Sequence, residues 1–96
     1  MRTQVLHKRV TERQFWTISY AEELGLDETI TLSTWSSPTI DELVNAAAPY
    51  APQLNSPLVT VWVLPGGTTG AHDVINTYTT SLGRILVQRY QIQIET

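Results

Sequence analysis

The chain has 96 residues, a formal net charge of −3 and no cysteine. A chain of this length forms one domain, buries about two-thirds or less of its unfolded surface and has no room for a large enzyme fold. Its acidic balance argues against nucleic acid as a partner, and the lack of cysteine excludes disulfides, thiolate nucleophiles and thiolate zinc sites. No apolar run is long enough to span a bilayer, so we expect no membrane contact.

The first residues of the chain are predicted to be either a strand or an extended arm. Residues 13–20 then alternate between two faces with the two-residue period of a half-buried strand. Trp16 and Ile18 share one of these faces and are candidate core residues. We therefore expect residues 1–13 to form an N-terminal arm or edge strand and residues 14–96 to form the main domain.

A second alternating segment covers residues 28–35 and follows a turn that contains Gly25 and Asp27. It is rich in threonine and isoleucine, which pack well on a pleated sheet, and is predicted to be the next strand. Its period places Ile30 and Trp35 on opposite faces. Both are candidate core residues.

Residues 39–56 separate this strand from the next and contain a helix-like signal. Thr39 is a candidate N-cap, and Glu42 three residues later fits a capping box. Pro49 and the proline after it end any helix after about two turns. We predict a short helix at residues 41–48 that crosses between two sheets.

Residues 57–64 form the next predicted strand. Valine, leucine and tryptophan make both of its faces largely apolar, which is typical of a strand in the middle of a sheet. Trp62 is its candidate core residue. A proline then ends the strand, and the following turn contains Gly66, Gly67 and Gly70, because glycine adopts positive φ at little cost.

The last two predicted strands cover residues 73–80 and 84–95. The three residues between them end in Gly83 and are typical of a β-hairpin turn. In the final strand Tyr90 and Ile92 share one face and complete the candidate core. Six or seven short strands and one helical crossover predict an all-β, antiparallel immunoglobulin-like sandwich, here without the paired cysteines of true immunoglobulin domains.

No motif in the chain predicts catalysis. The glycine-rich turn lacks the lysine of a phosphate-binding loop. His7 and His72 are far apart in sequence, and Asp73 points away from His72 on a strand, so neither a zinc site nor a catalytic triad is indicated. The acidic turn lacks the ligand spacing of a calcium loop. We expect a protein that is not an enzyme and has no metal or other cofactor.

Charge is unevenly distributed along the sequence. The first 13 residues carry four cations, Arg2, Lys8, Arg9 and Arg13, against one anion, and residues 21–42 carry six anions and no cation. This distribution fits ordinary surface charge and also fits a basic N-terminal arm that docks on an acidic neighbouring subunit. The four cations are the candidate partner contacts.

Four segments resemble, in their order and spacing, the motifs of a known family. They are FWTISY at 15–20, DETITLSTW at 27–35, VWVLPGGTTG at 61–70 and TTSLGR at 79–84. Together they resemble the small immunoglobulin-like virion proteins of tailed bacteriophages called fiber-tail adaptor proteins. Residues 1–13 and 39–56 fall outside this likeness.

The resemblance implies a non-enzymatic structural protein of the virion, assembled in the host cytoplasm, that joins fibers or other components to the tail. It implies contacts with other virion proteins and with further copies of the chain. Two alternatives stay open. One is a capsid decoration or head-to-tail connector protein, and the other is a carbohydrate-binding module that uses exposed Tyr50, Tyr78 and Tyr90.

Overall fold

The computed structural model describes residues 4–96, which form two packed β-sheets. In chain order the elements are β1 (Gln4–Arg9), β2 (Gln14–Ser19), β3 (Ile30–Ser36), α1 (Asp41–Val44), β4 (Gln53–Asn55), β5 (Leu58–Val63), β6 (Gly70–Thr80) and β7 (Ile85–Glu95). One sheet has the order β1-β7-β6-β3 and the other has the order β2-β5-β4. The all-β sandwich with a short helical crossover is therefore confirmed.

The strand order is that of an immunoglobulin-like fold. Strands β2, β5 and β4 occupy the positions of strands B, E and D, and β3, β6 and β7 occupy those of C, F and G. One pair departs from the predicted antiparallel arrangement, because β1 lies in the opposite sheet from β2 and runs parallel to β7. Gln4 lies opposite Tyr90, and Arg9 lies opposite Glu95.

The core between the sheets contains most of the predicted core residues. Ile30, Trp35, Tyr90 and Ile92 are buried, and Trp16 and Ile18 pack half-buried against them.

Trp62, in contrast, lies half-buried on the outer face of β5. The three valines of β5, Val59, Val61 and Val63, are the residues that point inward and are buried. Both faces of this strand are apolar, so its period could not tell the inner face from the outer one. The placement of Trp62 in the core is therefore corrected.

A register shift in β3 explains how Ile30 and Trp35 both reach the core. The pairing with β6 slips between Ile30 and Leu32. An extra residue in one strand turns the side chains after it to the other face of the sheet. Trp35 therefore points inward with Ile30, and Leu32 points outward.

The crossover between the sheets is less helical than predicted. The helix α1 ends at Val44, four residues before the predicted end, and no side chain caps its N-terminus. Thr39 is not the N-cap, because the helix begins after Ile40 and the Thr39 hydroxyl instead lies 2.7 Å from Nδ1 of His72. The segment nevertheless crosses from β3 in one sheet to β4 in the other.

The four predicted turn glycines, Gly66, Gly67, Gly70 and Gly83, all adopt positive φ. Gly67 also lies against the core, where a Cβ would stand 2.9 Å from Cδ1 of Ile94. Any side chain here would therefore force the core to move as well as strain the backbone.

A buried hydrogen-bond cluster links the two sheets. The Tyr20 hydroxyl, just after β2, donates to Oδ1 of Asn76 on β6 and lies 2.8 Å from the Tyr90 hydroxyl on β7. Burial raises the pKa of both tyrosines, so both remain neutral hydrogen-bonding groups. The cluster joins the equivalents of strands B and F, the pair that a disulfide links in true immunoglobulin domains.

Candidate interaction surfaces

The histidines and acidic residues do not form a metal-binding cluster in the part of the chain that the structure describes. Within residues 4–96 no group of three or more histidine, aspartate or glutamate side chains could hold a metal ion. His72 is buried, and its ring nitrogens lie 2.7 Å from the Thr39 hydroxyl and 2.7 Å from the Thr68 carbonyl oxygen. It holds two loops together. None of the helices described is long and apolar enough to cross a membrane.

The outer face of the four-stranded sheet carries an uncharged patch, which we call the threonine face. Strand pairing places Leu32, Thr79 and Ile85 in one row and Thr34, Thr77 and Val87 in the next. The three aliphatic side chains, on strands β3 and β7, are 55%, 69% and 48% exposed in chain order. These neighbouring exposed apolar side chains make the face a candidate interaction surface.

The outer face of the three-stranded sheet carries an aromatic cluster, which we call the aromatic face. Phe15 on β2 lies opposite Trp62 on β5, with ring centroids 4.7 Å apart. The Tyr50 ring meets Trp62 edge-on at 5.1 Å, and the Arg13 guanidinium lies 4.2 Å from the centre of the Tyr50 ring. Phe15 is 53% exposed.

The sequence did not predict that the side chains of the aromatic face lie together. The alternation in β2 did place Phe15 opposite Trp16. The register that brings Phe15 to Trp62 is a long-range property, and it does not follow from the period of either strand.

A third exposed feature is the loop between β2 and β3, which we call the acidic loop and define as residues 21–27. Leu26 is 94% exposed, and Glu22, Glu23 and Asp27 surround it in sequence and are exposed. Within residues 4–96 these three carboxylates form no salt bridge. The loop therefore presents an apolar side chain among exposed carboxylates.

The acidic loop is anchored by Glu28. The buried carboxylate of Glu28 accepts two hydrogen bonds from the Arg84 guanidinium, at 2.6 and 2.9 Å, and others from the Gly25 amide and the Thr80 hydroxyl. Arg84 also donates to the Glu23 carbonyl oxygen. The bonds from Arg84, then those from Gly25 and Thr80, lower the pKa of Glu28 from 4.5 to about 2.

The four predicted partner contacts have different surroundings. Arg2 lies outside the described residues, and Arg9 and Arg13 are exposed. Lys8 is buried on the inward side of β1, where its Nζ donates to the carbonyl oxygens of Arg9 and Val10. Desolvation lowers its pKa. The prediction that Lys8 contacts a partner is therefore wrong, because the alternation of β1 turns this side chain inward.

The six anions of residues 21–42 do not form one surface. Glu22, Glu23 and Asp27 lie in the acidic loop, beside the β6–β7 hairpin turn, to which Arg84 ties it. Asp41 and Glu42 lie on α1, whose Leu43 packs near the glycine turn at the other end of the sandwich.

A groove of about 750 Å³ opens between the end of β2 and strand β7 and is lined in part by Ile18, Tyr20 and Leu86. Tyr78 and Tyr90 are buried, and Tyr50 lies on the aromatic face. The three tyrosines proposed for carbohydrate binding therefore do not share one exposed platform.

Comparison with known proteins gives one family. A family model described as podophage GP4 fiber-tail adaptor protein gp77 matches residues 8–93, a span that includes all elements from β2 to β6 and most of β7. A search of curated proteins finds no match.

Proposed function

This chain belongs to the family of podophage GP4 fiber-tail adaptor protein gp77, and we propose that it joins fibers or other components to the tail of the phage particle. The family is one of structural adaptor proteins of the phage. The chain therefore works in the virion by binding other virion proteins. It does so without catalysis and without a cofactor.

The observation that supports this role most is the pair of opposed surfaces. An adaptor must hold two neighbours at the same time. The threonine face and the aromatic face lie on the outer sides of different sheets, so they point away from each other and two neighbours can occupy them together. Apolar surface of this kind is what an interface removes from water.

We propose that one surface contacts a further copy of the chain and that the other contacts a different virion protein. The chain would then form a homo-oligomer around the tail, assembled in the host cytoplasm with the rest of the particle. The open outer faces of the sheets suit such contacts better than an enclosed pocket would, because protein partners bind over broad surfaces.

The alternative function is that of a capsid decoration or head-to-tail connector protein, which could use the same fold at another place in the particle. Quantitative mass spectrometry of particles separated into heads and tails measures where the chain resides and in how many copies. We expect a small number of copies that travel with the tails. Hundreds of copies that travel with the heads would replace the adaptor role with that of a decoration protein.

A further inference from the structure

We propose that the aromatic face is the docking site for the acidic loop of a second copy of this chain, so that copies associate head to tail. The inference rests on the proposed function, for which it supplies the contact between copies. It leaves the threonine face available to a different virion protein.

The two surfaces are complementary in charge and in polarity. The aromatic face combines the exposed ring of Phe15 with the cation of Arg13, which forms no salt bridge within residues 4–96. The acidic loop combines the exposed Leu26 with three exposed carboxylates that form no salt bridge with the residues that the structure describes. An apolar contact ringed by opposite charges fixes the register of two partners and speeds their encounter.

The positions of the two surfaces require a second copy. Strand β2 begins beside the aromatic face at Gln14 and ends at Ser19, just before the acidic loop. Phe15 lies four residues, or roughly 13 Å, from the end of this strand where the acidic loop begins. Arg84 ties that loop to the hairpin turn, so one molecule cannot place its own loop on its own aromatic face. Because the interface joins two different surfaces, it is heterologous and produces rings or open chains of copies.

The acidic loop is already held in one shape before it binds. Glu28 accepts a hydrogen bond from the Gly25 amide at 2.7 Å, the Glu28 amide donates to the Gly25 carbonyl oxygen, and Arg84 ties the loop to the hairpin turn. Leu26 is therefore presented on an ordered support. A preorganised loop loses less conformational entropy when it binds.

The first experiment uses sedimentation velocity of the full chain over a range of concentrations. Arg13→Glu disables the aromatic face, and Leu26→Ser disables the acidic loop, and each should raise the dissociation constant about tenfold or more. A mixture of the two variants should form one-to-one pairs, because one keeps the loop and the other keeps the face. Arg89→Glu, which changes an exposed cation on the other sheet, is the matched control and should associate like the native chain.

The second experiment exploits the absence of native cysteine. Thr17 lies exposed on β2, two residues from Phe15, so the variant Leu26→Cys with Thr17→Cys carries one thiol in each surface. Oxidation should give a ladder of covalent dimers, trimers and larger species, and each single variant should give at most dimers. Arg89→Cys with Thr17→Cys, which moves the first thiol to an exposed position on the outer face of the other sheet, should give no ladder.

Three results would overturn the inference. They are a native chain that stays monomeric at all concentrations, a mixture of the two variants that forms no pairs, and a covalent ladder in the Arg89→Cys control. None of them affects the location of the chain in the particle, which the separation of heads and tails measures independently. The absence of the chain from tails would contradict the proposed function instead.

Discussion

Glu28 carries a negative charge in a place where water cannot reach it. A buried carboxylate costs stability unless its oxygens are hydrogen-bonded and its charge is paired. Arg84 supplies the charge and two hydrogen bonds in a bidentate arrangement, and Gly25 and Thr80 supply the others. This one side chain thereby joins the acidic loop, the end of β6 and the hairpin turn.

The pKa of Glu28 makes the stability of the fold sensitive to acid. Because the pKa is lowered from 4.5 to about 2, the contribution of the carboxylate is fully present above pH 4.5 and is lost as the pH falls towards 2. Thermal unfolding should therefore show the native Tm falling more steeply in this range than the Tm of Glu28→Gln. At pH 7 the variant should have the lower Tm, because Arg84 has lost its anion.

The control for this prediction is Glu22→Gln, which changes an exposed carboxylate of the acidic loop. Its Tm should follow that of the native chain at every pH. Parallel curves for the native chain and Glu28→Gln would show that folding does not lower the pKa of this carboxyl, and would contradict the prediction.

Trp35 and Trp62 differ in burial, so their replacement by alanine tests which side of the sheet faces the core. Trp35 is buried, with its ring 5.9 Å from that of Tyr90, and Trp35→Ala should lower the free energy of unfolding by about 3 to 5 kcal/mol. Trp62→Ala should cost clearly less, because its side chain is half-buried on the outer face of β5. Urea unfolding measures both values. If Trp62→Ala lowered the free energy of unfolding more than Trp35→Ala, the core would lie on the other face of β5 from the one described.

Among the elements, the strands that alternate regularly could be predicted from the sequence. The period of β2 correctly separated Trp16 and Ile18 from Phe15, and the period of β7 placed Tyr90 and Ile92 together. Local alternation carries this information because each side chain points away from its neighbours on the same strand.

Other features depended on contacts between distant residues and could not be predicted. The bulge in β3 exists only relative to β6, and the exposed patch formed by Leu32, Ile85 and Val87 follows from that pairing. The ion pair of Glu28 with Arg84 joins residues 56 positions apart. Both residues stood inside recognisable motifs, yet nothing in the motifs indicated that they meet.

Strand β1 is an edge strand of the four-stranded sheet, and its contribution to stability can be tested by removing it. It pairs with six residues of β7, and its Leu6 packs against the core. Removal of residues 2–10 should therefore lower the Tm strongly, because half of β7 loses its neighbour and the core loses apolar cover. Thermal unfolding followed by circular dichroism measures this. A truncated chain with an unchanged cooperative transition would show that residues 14–96 fold alone and that the first residues are an arm.

The molecule has an apolar patch on the outer side of each sheet, and the adaptor role predicts that both patches are needed. Ile85→Lys places a charge in the threonine face, on a side chain that is largely exposed. The variant should keep its Tm within a few degrees, because surface substitutions change stability little. Its copy number in purified tails should fall by about tenfold or more if this face holds a virion partner.

The matched control is Val5→Lys. Val5 is 49% exposed and lies on β1 of the same sheet, opposite Gln91 and outside the threonine face. Its copy number in tails should equal that of the native chain. Equal incorporation of Ile85→Lys and the native chain would show that the threonine face is not a contact surface.

The parallel pairing of β1 with β7 also determines how the domain responds to tension. The chain enters the pair at Gln4 and leaves it at Glu95, at opposite ends of the paired segment. A pull that separates the two termini therefore acts along the strands, across hydrogen bonds that lie transverse to it. The strand pair is therefore loaded in shear, and all six residue pairs resist the force together. An antiparallel hairpin pulled from its open end would instead unzip, and its hydrogen bonds would break one at a time.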